Sequence, residues 1–168
     1  MGTADGNGWV ACRCGSRHWG LHGAAGLLLH RDAPGVTRPG QVLLQLRAPW
    51  VHHGGTWAAP GGAIDSHESP IEGALREAEE EAGIGVHQVR VRAVLLSADH
   101  GDWRYHLVLG SPVGLVRPAA SNHEASAVRW VPVAQVADLD LHPGFAAAWP
   151  AVADAVRGLS PPRAAGSG

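Results

Sequence analysis

The chain has 168 residues and a mass of 17.5 kDa, room for one domain of ordinary size. With 45% apolar and 17% charged residues and a mean hydropathy of -0.04, it is neither a disordered chain nor a fibre, and no apolar run approaches the roughly 20 residues of a membrane span. The net charge is only -2 and every one of the 13 basic residues is Arg. Between Gly62 and Ile84, however, seven acids (Asp65, Glu68, Glu72, Glu77, Glu79, Glu80, Glu81) face the single base Arg76, a local charge of -6 that leaves +4 elsewhere.

The first ten residues lack a basic cluster and an apolar core, so no secretory signal is expected and a cytoplasmic setting is. Residues 1–18 read as a partly flexible N-terminal extension to a domain spanning 19–159. Cys12 and Cys14 are too close in sequence for an ordinary structural disulfide. With His18 they make half a zinc site, short of the four ligands that structural zinc takes. Apolar, β-like runs follow at Ala24–His30 and Gln41–Arg47, joined by a hairpin connection over Arg31–Gly40 that contains Pro34, Gly35, Pro39 and Gly40.

Ser69-Pro70-Ile71-Glu72 then spells a helix start: Ser at N-cap, Pro at N1, and Glu at N3 completing a capping box. Gly83 stands where a left-handed C-terminal residue belongs. At about 100° per residue, Ile71, Leu75, Ala78 and Ala82 fall within roughly 60° of one another and are expected to form the buried stripe. Glu77, Glu80 and Glu81 are expected to project from another face, at the spacing where like charges repel.

Further β-like runs occupy Val89–Ser97, Arg104–Leu109 and Ala127–Val133, so strands surround a central helix. Phe145–Leu159 reads as a last helix that Pro150 kinks or begins. The Pro-, Gly- and Ser-rich residues 160–168 are expected to be a disordered tail. No dense Arg cluster with interleaved aromatics supports a nucleic-acid polymer as partner. Neither composition nor pattern speaks to oligomeric state.

The plain alternative for the acidic helix is a solvated face, but its acids have few basic partners at helical spacing, and Pro60-Gly61-Gly62 ahead of it lets backbone approach something closely. A hard divalent cation, Mg²⁺ or Mn²⁺, accounts for both, since it takes carboxylate and carbonyl oxygens. Without the ion, mutual repulsion should raise at least one carboxylate's pKa.

Gly62, Glu68, Arg76, Glu77, Ala78, Glu80, Glu81, Gly83 and Ile84 fill every fixed position of a glycine, glutamate, arginine-glutamate, glutamate-glutamate, glycine pattern. In this the chain resembles the Nudix hydrolases. The resemblance implies an α/β fold, an α/β/α sandwich with a mixed sheet, and hydrolysis of a nucleoside diphosphate linked to another group. It makes Glu77, Glu80 and Glu81 the metal-binding carboxylates, with the Gly61 carbonyl as a further ligand, and Arg76 with Glu68 the pair that orients Glu77.

From about Trp19 to Trp149 the likeness extends to MutT-type nucleoside triphosphate pyrophosphohydrolases. It places Arg47 and His52 at substrate-contacting positions and Glu124 on a loop where it can join the metal or act as base. The plain alternatives are a strand-end arginine, a loop histidine and an ordinary loop acid. Trp130 is expected in the core, and Trp50 and Trp57 either stack on a base or pack. The stretches Gly23–Leu29, Gly54–Trp57 and Leu141–Phe145 are similar to actinobacterial 8-oxo-dGTP diphosphatases. The MutT asparagine that reads the oxidised base has no counterpart, and His142 and Phe145 stand in its neighbourhood. The expected reaction is Mg²⁺-dependent cleavage of a nucleoside triphosphate to monophosphate and pyrophosphate, with Glu77 or Glu124 as base and Glu80 behind them. Alternatives are ADP-ribose, a dinucleoside polyphosphate, or a nucleotide-binding module without catalysis. Against the first two, the first proline after Ile84 is Pro112, and Tyr105, the only tyrosine, is poorly placed.

Overall fold

A computed structural model of the protein describes residues 4–32, 35 and 39–159. Strands β1 (Trp9–Ala11) and β2 (Arg17–Trp19) form a separate hairpin. The main sheet contains β3 (Ala24–Arg31), β4 (Gln41–Arg47), β5 (Trp57–Ala58), β6 (Gly61–Ala63), β7 (Val89–Asp99), β8 (Arg104–Pro112) and β9 (Ala125–Pro132). Its order is β5-β4-β3-β8-β7, with β6 on β3 and β9 on β4. Strands β3 and β8 are parallel and the other paired strands antiparallel, so the sheet is mixed, as expected. Helices α1 (Pro70–Ala82) and α2 (Pro143–Leu159) cover its two faces.

The sandwich explains the unbroken apolar run in β3. Ala25, Leu27 and Leu29 pack toward the alanines of α1, whereas Leu28 joins the cluster around Phe145, Trp149, Val152 and Val156 of α2. Val108 against Leu107 and Leu109 repeats the alternation in β8. A strand buried on both faces has no polar side to show. The four short strands β1, β2, β5 and β6 had no legible period, being two or three residues each. No described helix is long and apolar enough to cross a membrane.

Helix α1 starts and stops where its caps predict. The Glu72 N–H donates to Ser69 Oγ at 3.3 Å, the Ser69 N–H donates to Glu72 Oε2 at 2.7 Å, and Gly83 is left-handed with φ 66°. Its buried arc differs from the expected stripe. Gly73, Ala74, Ala78, Glu81 and Ala82 are buried, while Ile71 and Leu75 are only partly so. Small side chains let the helix settle on β3, turned so that Glu81, about 60° from Ala78 around the axis, faces inward and not outward. In α2, Pro143 opens the helix and Pro150 lies within it, leaving the Ala146 carbonyl without its usual donor.

The β1–β2 hairpin belongs to the same packing. The N–H groups of Asp5 and Gly6 donate to Asp65 Oδ1 at 2.9 and 2.7 Å, and Ser66 Oγ donates to Asp5 Oδ2 at 2.6 Å. The domain start expected at Trp19 falls inside β2. The connection expected over Arg31–Gly40 joins strands that pair antiparallel, His30 with Val42 and Arg31 with Gln41. Residues 33, 34 and 36–38 of that connection, and the tail at 160–168, lie outside the described residues.

One guanidinium fixes α1 to the loop before it. Arg76 Nε and Nη2 donate to the two oxygens of Glu68 at 2.7 and 2.9 Å, Nη1 donates to Glu77 Oε1 at 2.8 Å, and Nη2 also reaches the Ala63 carbonyl at 2.9 Å. Glu68 Oε2 in turn accepts the Asp65 N–H at 3.0 Å. These bonds, those from Arg76 foremost, hold the Glu68 carboxyl below the usual carboxylate range against the opposing effect of burial. The folded state therefore binds this proton more weakly than the unfolded chain, whose glutamate titrates near about 4.3. The stabilisation is present above that value and is lost as the pH falls through the lower folded one. Glu68→Gln is expected to cost about 1.5–3 kcal/mol at pH 7, with the gap to the parent protein closing in acid. Urea unfolding at several pH values measures this; a gap of constant size would show that Arg76 does not depend on the ionised form.

Candidate active site

Strand β6 and the second half of α1 bring the box glutamates onto glycine backbone. A Cβ at Gly62 would lie 2.7 Å from the carboxyl carbon of Glu77, so only glycine lets that side chain lie across the strand. The Gly61 N–H donates to Glu81 Oε2 at 2.9 Å, and Gln45 Nε2 of β4 donates to the same oxygen at 2.8 Å. Glu81 is 2% exposed. Burial is the main reason its pKa is pushed up to about 7; the charges of Glu77 and Glu124 add to this, and the two N–H donors oppose it. Burial also raises Glu77, with Arg76 acting against it and Glu80 and Glu124 with it. Desolvation, rather than the repulsion anticipated from spacing, is the larger cause at both residues.

Glu80 is exposed, its Oε2 3.6 Å from Arg76 Nη1. These acids occupy the end of the helix where its dipole is negative and where basic residues would be favoured; α1 has none in its last turn. Such an arrangement leaves uncompensated negative charge, and a carboxyl near neutrality can exchange a proton at working pH. Within the described residues, two trios place ligand atoms within 4.8 Å of one another, Cys12–Cys14–His18 and Asp65–His67–Glu68. In the second, Asp65 and Glu68 are already engaged by backbone N–H groups and Arg76. Glu77, Glu80 and Glu81 do not form such a trio, because Arg76 draws Glu77 one way, Gly61 and Gln45 draw Glu81 another, and Glu80 faces solvent.

A second group gathers where β4 ends. Arg47 Nε donates to the His52 carbonyl at 3.1 Å. The His52 ring meets Trp9 of β1 edge-on at 5.4 Å and His53 at 4.0 Å, and His53 meets His142 at 4.7 Å. Burial, then the positive charge of His53, Arg47 and His52, lowers the pKa of His142 to about 4, so its ring is neutral at pH 7. Its Nδ1 accepts the Gly144 N–H at 3.1 Å. Phe145, by contrast, is buried against Trp149 and belongs to the core.

Glu124 is exposed, but its backbone carbonyl accepts the Ala48 N–H at 2.8 Å, and its charge reaches Glu77 and Glu81. The bonding of β4 to β9 shifts register between Leu46 and Arg47, so that Arg47 faces Ala125 and Ser126 is the extra residue. Trp57 is buried with Arg129 over its ring at 4.2 Å, Trp50 is 70% exposed, and Trp130 is half-buried beneath Arg31 at 4.0 Å.

Gln45, Trp9, His53 and Tyr105 were absent from the set expected from the sequence. Gln45 had a signal, a polar residue inside the apolar run of β4, and it is fully buried with Oε1 unpartnered. Tyr105 is half-buried beside Gly61, where a Cβ would lie 2.9 Å from its hydroxyl. Burial and the charge of Glu81 raise its pKa, keeping the phenol protonated. Trp9 and His53 carried no signal, since only the fold brings β1 to the loop after β4.

A family model described as the NUDIX domain matches residues 21–153. A Mycobacterium tuberculosis protein named "Putative 8-oxo-dGTP diphosphatase 3" is 47% identical over 150 residues, covering 86% of this chain and 68% of that one. A "Nucleoside triphosphate pyrophosphatase/Nudix hydrolase fusion protein" of Bifidobacterium longum is 43% identical over 147 residues, 86% of this chain and 30% of its own. Among solved structures, a Nudix hydrolase from M. smegmatis, RenU, superposes with a TM-score of 0.83 at 45% identity, covering 92% of this chain and 97% of that one. With the box complete and seated on the sandwich, the chain belongs to the Nudix hydrolase family.

Proposed function

We propose that the protein hydrolyses a nucleoside triphosphate to the monophosphate and pyrophosphate with Mg²⁺ as cofactor, Mn²⁺ able to replace it, and that 8-oxo-dGTP is its first candidate substrate. The observation that carries this is the buried Glu81 beside Glu77, a pair of carboxylates with no cation but Arg76 among its close partners in the described residues. The 47% identity to the M. tuberculosis protein supports the choice of nucleotide. An all-oxygen, acid-rich donor set fits a hard divalent ion. Glu77, Glu80 and Glu81, with the Gly61 carbonyl, would hold it, and when bound it would offset phosphate charge.

The chain's own residues supply the rest. Arg76, braced by Glu68, orients Glu77, and Gln45 with the Gly61 N–H orients Glu81. Glu77 or Glu124 takes the proton from the attacking water, with Glu80 behind them. Arg47 and His52 bind the substrate, and neutral His142 offers a ring nitrogen without a charge to the same region. Such a pool of nucleotides is cytoplasmic, which is where we place the protein.

Glu81→Gln is expected to lower kcat at least about tenfold, near 1.4 kcal/mol of barrier, with the fold intact; steady-state kinetics at saturating Mg²⁺ read it, and normal turnover would remove Glu81 from the reaction. Arg76→Ala should reduce both the unfolding free energy, by at least about 1.5 kcal/mol, and the rate, because Glu77 loses its orienting partner. A change in rate alone would contradict the bracing role. Incubation with Mg²⁺ and 8-oxo-dGTP, dGTP, ADP-ribose or a diadenosine polyphosphate, followed by pyrophosphate and phosphate detection, tests the substrate class. Pyrophosphate release from the triphosphates is expected. Preference for either of the other two replaces the substrate, and no cleavage of any leaves a binding module.

A further inference from the structure

The β1–β2 hairpin carries chemistry that the glutamate site does not use. Its turn is tight: the Cys12 N–H donates to the Ser16 carbonyl and the Gly15 N–H to the Cys12 carbonyl, both at 3.0 Å, with Gly15 at φ 90°. That turn folds Cys14 back, so its N–H lies 3.4 Å from Cys12 Sγ while its own Sγ lies 3.2 Å from His18 Nε2 across the hairpin. One ligand atom from each of Cys12, Cys14 and His18 falls within 4.8 Å of the others. Cys12 is buried, His18 half-buried and Cys14 exposed, a trio with a sheltered floor and an open mouth.

We propose that Cys12, Cys14 and His18 bind a zinc ion, three protein ligands with solvent in the fourth position. Two sulfurs and an imidazole suit zinc and are poor ligands for magnesium, so this site and the all-oxygen glutamate site select different metals. Each thiol gives its proton to solvent as it coordinates. The Cys14 N–H directed at Cys12 Sγ is the kind of outer donor that orients a ligand. The His18 ring is set before any ion arrives, stacked on Trp103 at 4.5 Å and on His100 at 4.4 Å.

The hairpin is already tied to the turn between β7 and β8. Without an ion, Cys12 Sγ donates to the His100 carbonyl at 3.3 Å, a bond given up when the thiol deprotonates, and Arg13 pairs with both oxygens of Asp102, the shortest contact being 2.7 Å, a tie that coordination leaves in place. The sequence left this cluster short of ligands. The fold brings His100 alongside, but no nitrogen of His100 joins the trio. Zinc here would fasten the strand that carries Trp9, and so hold Trp9 against His52.

The test is a titration of the reduced, metal-free full chain with Co²⁺ in excess Mg²⁺, followed by Zn²⁺. Cysteine ligation gives a sulfur-to-cobalt charge-transfer band that carboxylates cannot produce; a band saturating at a single equivalent and abolished by Zn²⁺ is expected. Cys14→Ser, at an exposed position, and His18→Ala should each weaken binding by more than the roughly hundredfold that loss of an outer hydrogen bond can cost. Zn²⁺ should also slow alkylation of Cys14 at least tenfold in the parent protein. Absence of the band, a band unchanged in both variants, or alkylation unaffected by Zn²⁺ would each overturn the site, the last leaving only a reactive thiol paired with a histidine.

Discussion

A carboxylate taken out of water must find donors or give up its charge, and Glu81 sits at that boundary. It is buried, two N–H groups reach the same oxygen, and no cation among the described residues pairs with it. In this position the ionised and neutral forms are close in free energy, which is why its pKa stands near neutrality and not among ordinary glutamates. The rest of the molecule arranges that burial. Ala74, Ala78 and Ala82 bring α1 close to β3, Gly61 and Gly62 clear the strand beneath the acids, and Gln45 comes from β4.

Arg76 is the counterpart of this constraint. Placed between Glu68 and Glu77, it satisfies both and reaches the Ala63 carbonyl as well, so one side chain couples the loop before the helix, the helix and strand β6. Its charge is consumed there, with nothing left for Glu81. The Nudix pattern thus sets Glu77, which has a guanidinium partner, about one helical turn from Glu81, whose partners are N–H groups, two environments made from the same residue type.

Much of this was legible because it is local. The capping box at Ser69 and Glu72, the stop at Gly83 and the spacing of the glutamates are relations between near neighbours in sequence, and the structure keeps them all. The long strands were equally readable, since Leu27 to Leu29 and Leu107 to Leu109 have no polar interruption. What escaped depends on contacts between distant segments. The inward turn of Glu81 comes from how α1 seats on β3, which no helical wheel contains. The approach of Trp9 to His52 needs β1 folded back over the domain, and two- and three-residue strands such as β5 and β6 exist only because β4 and β3 are there to pair with them. Gln45 lies between: its polarity was visible, its partner was not.

Ser126 has no chemistry of its own, yet it decides which way a neighbour looks. As the surplus residue in β9 it lets Ala125 meet Arg47 and sets the Glu124 carbonyl on the Ala48 N–H. Successive side chains on a strand alternate sides, and a slip of one position exchanges inside for outside. The same chain paired without the bulge would set Ser126 opposite Arg47 and Ala125 opposite Ala48, moving Glu124 one place along, off the Ala48 N–H and onto the other side of the strand, so the reach of this glutamate toward Glu77 and Glu81 is a matter of counting.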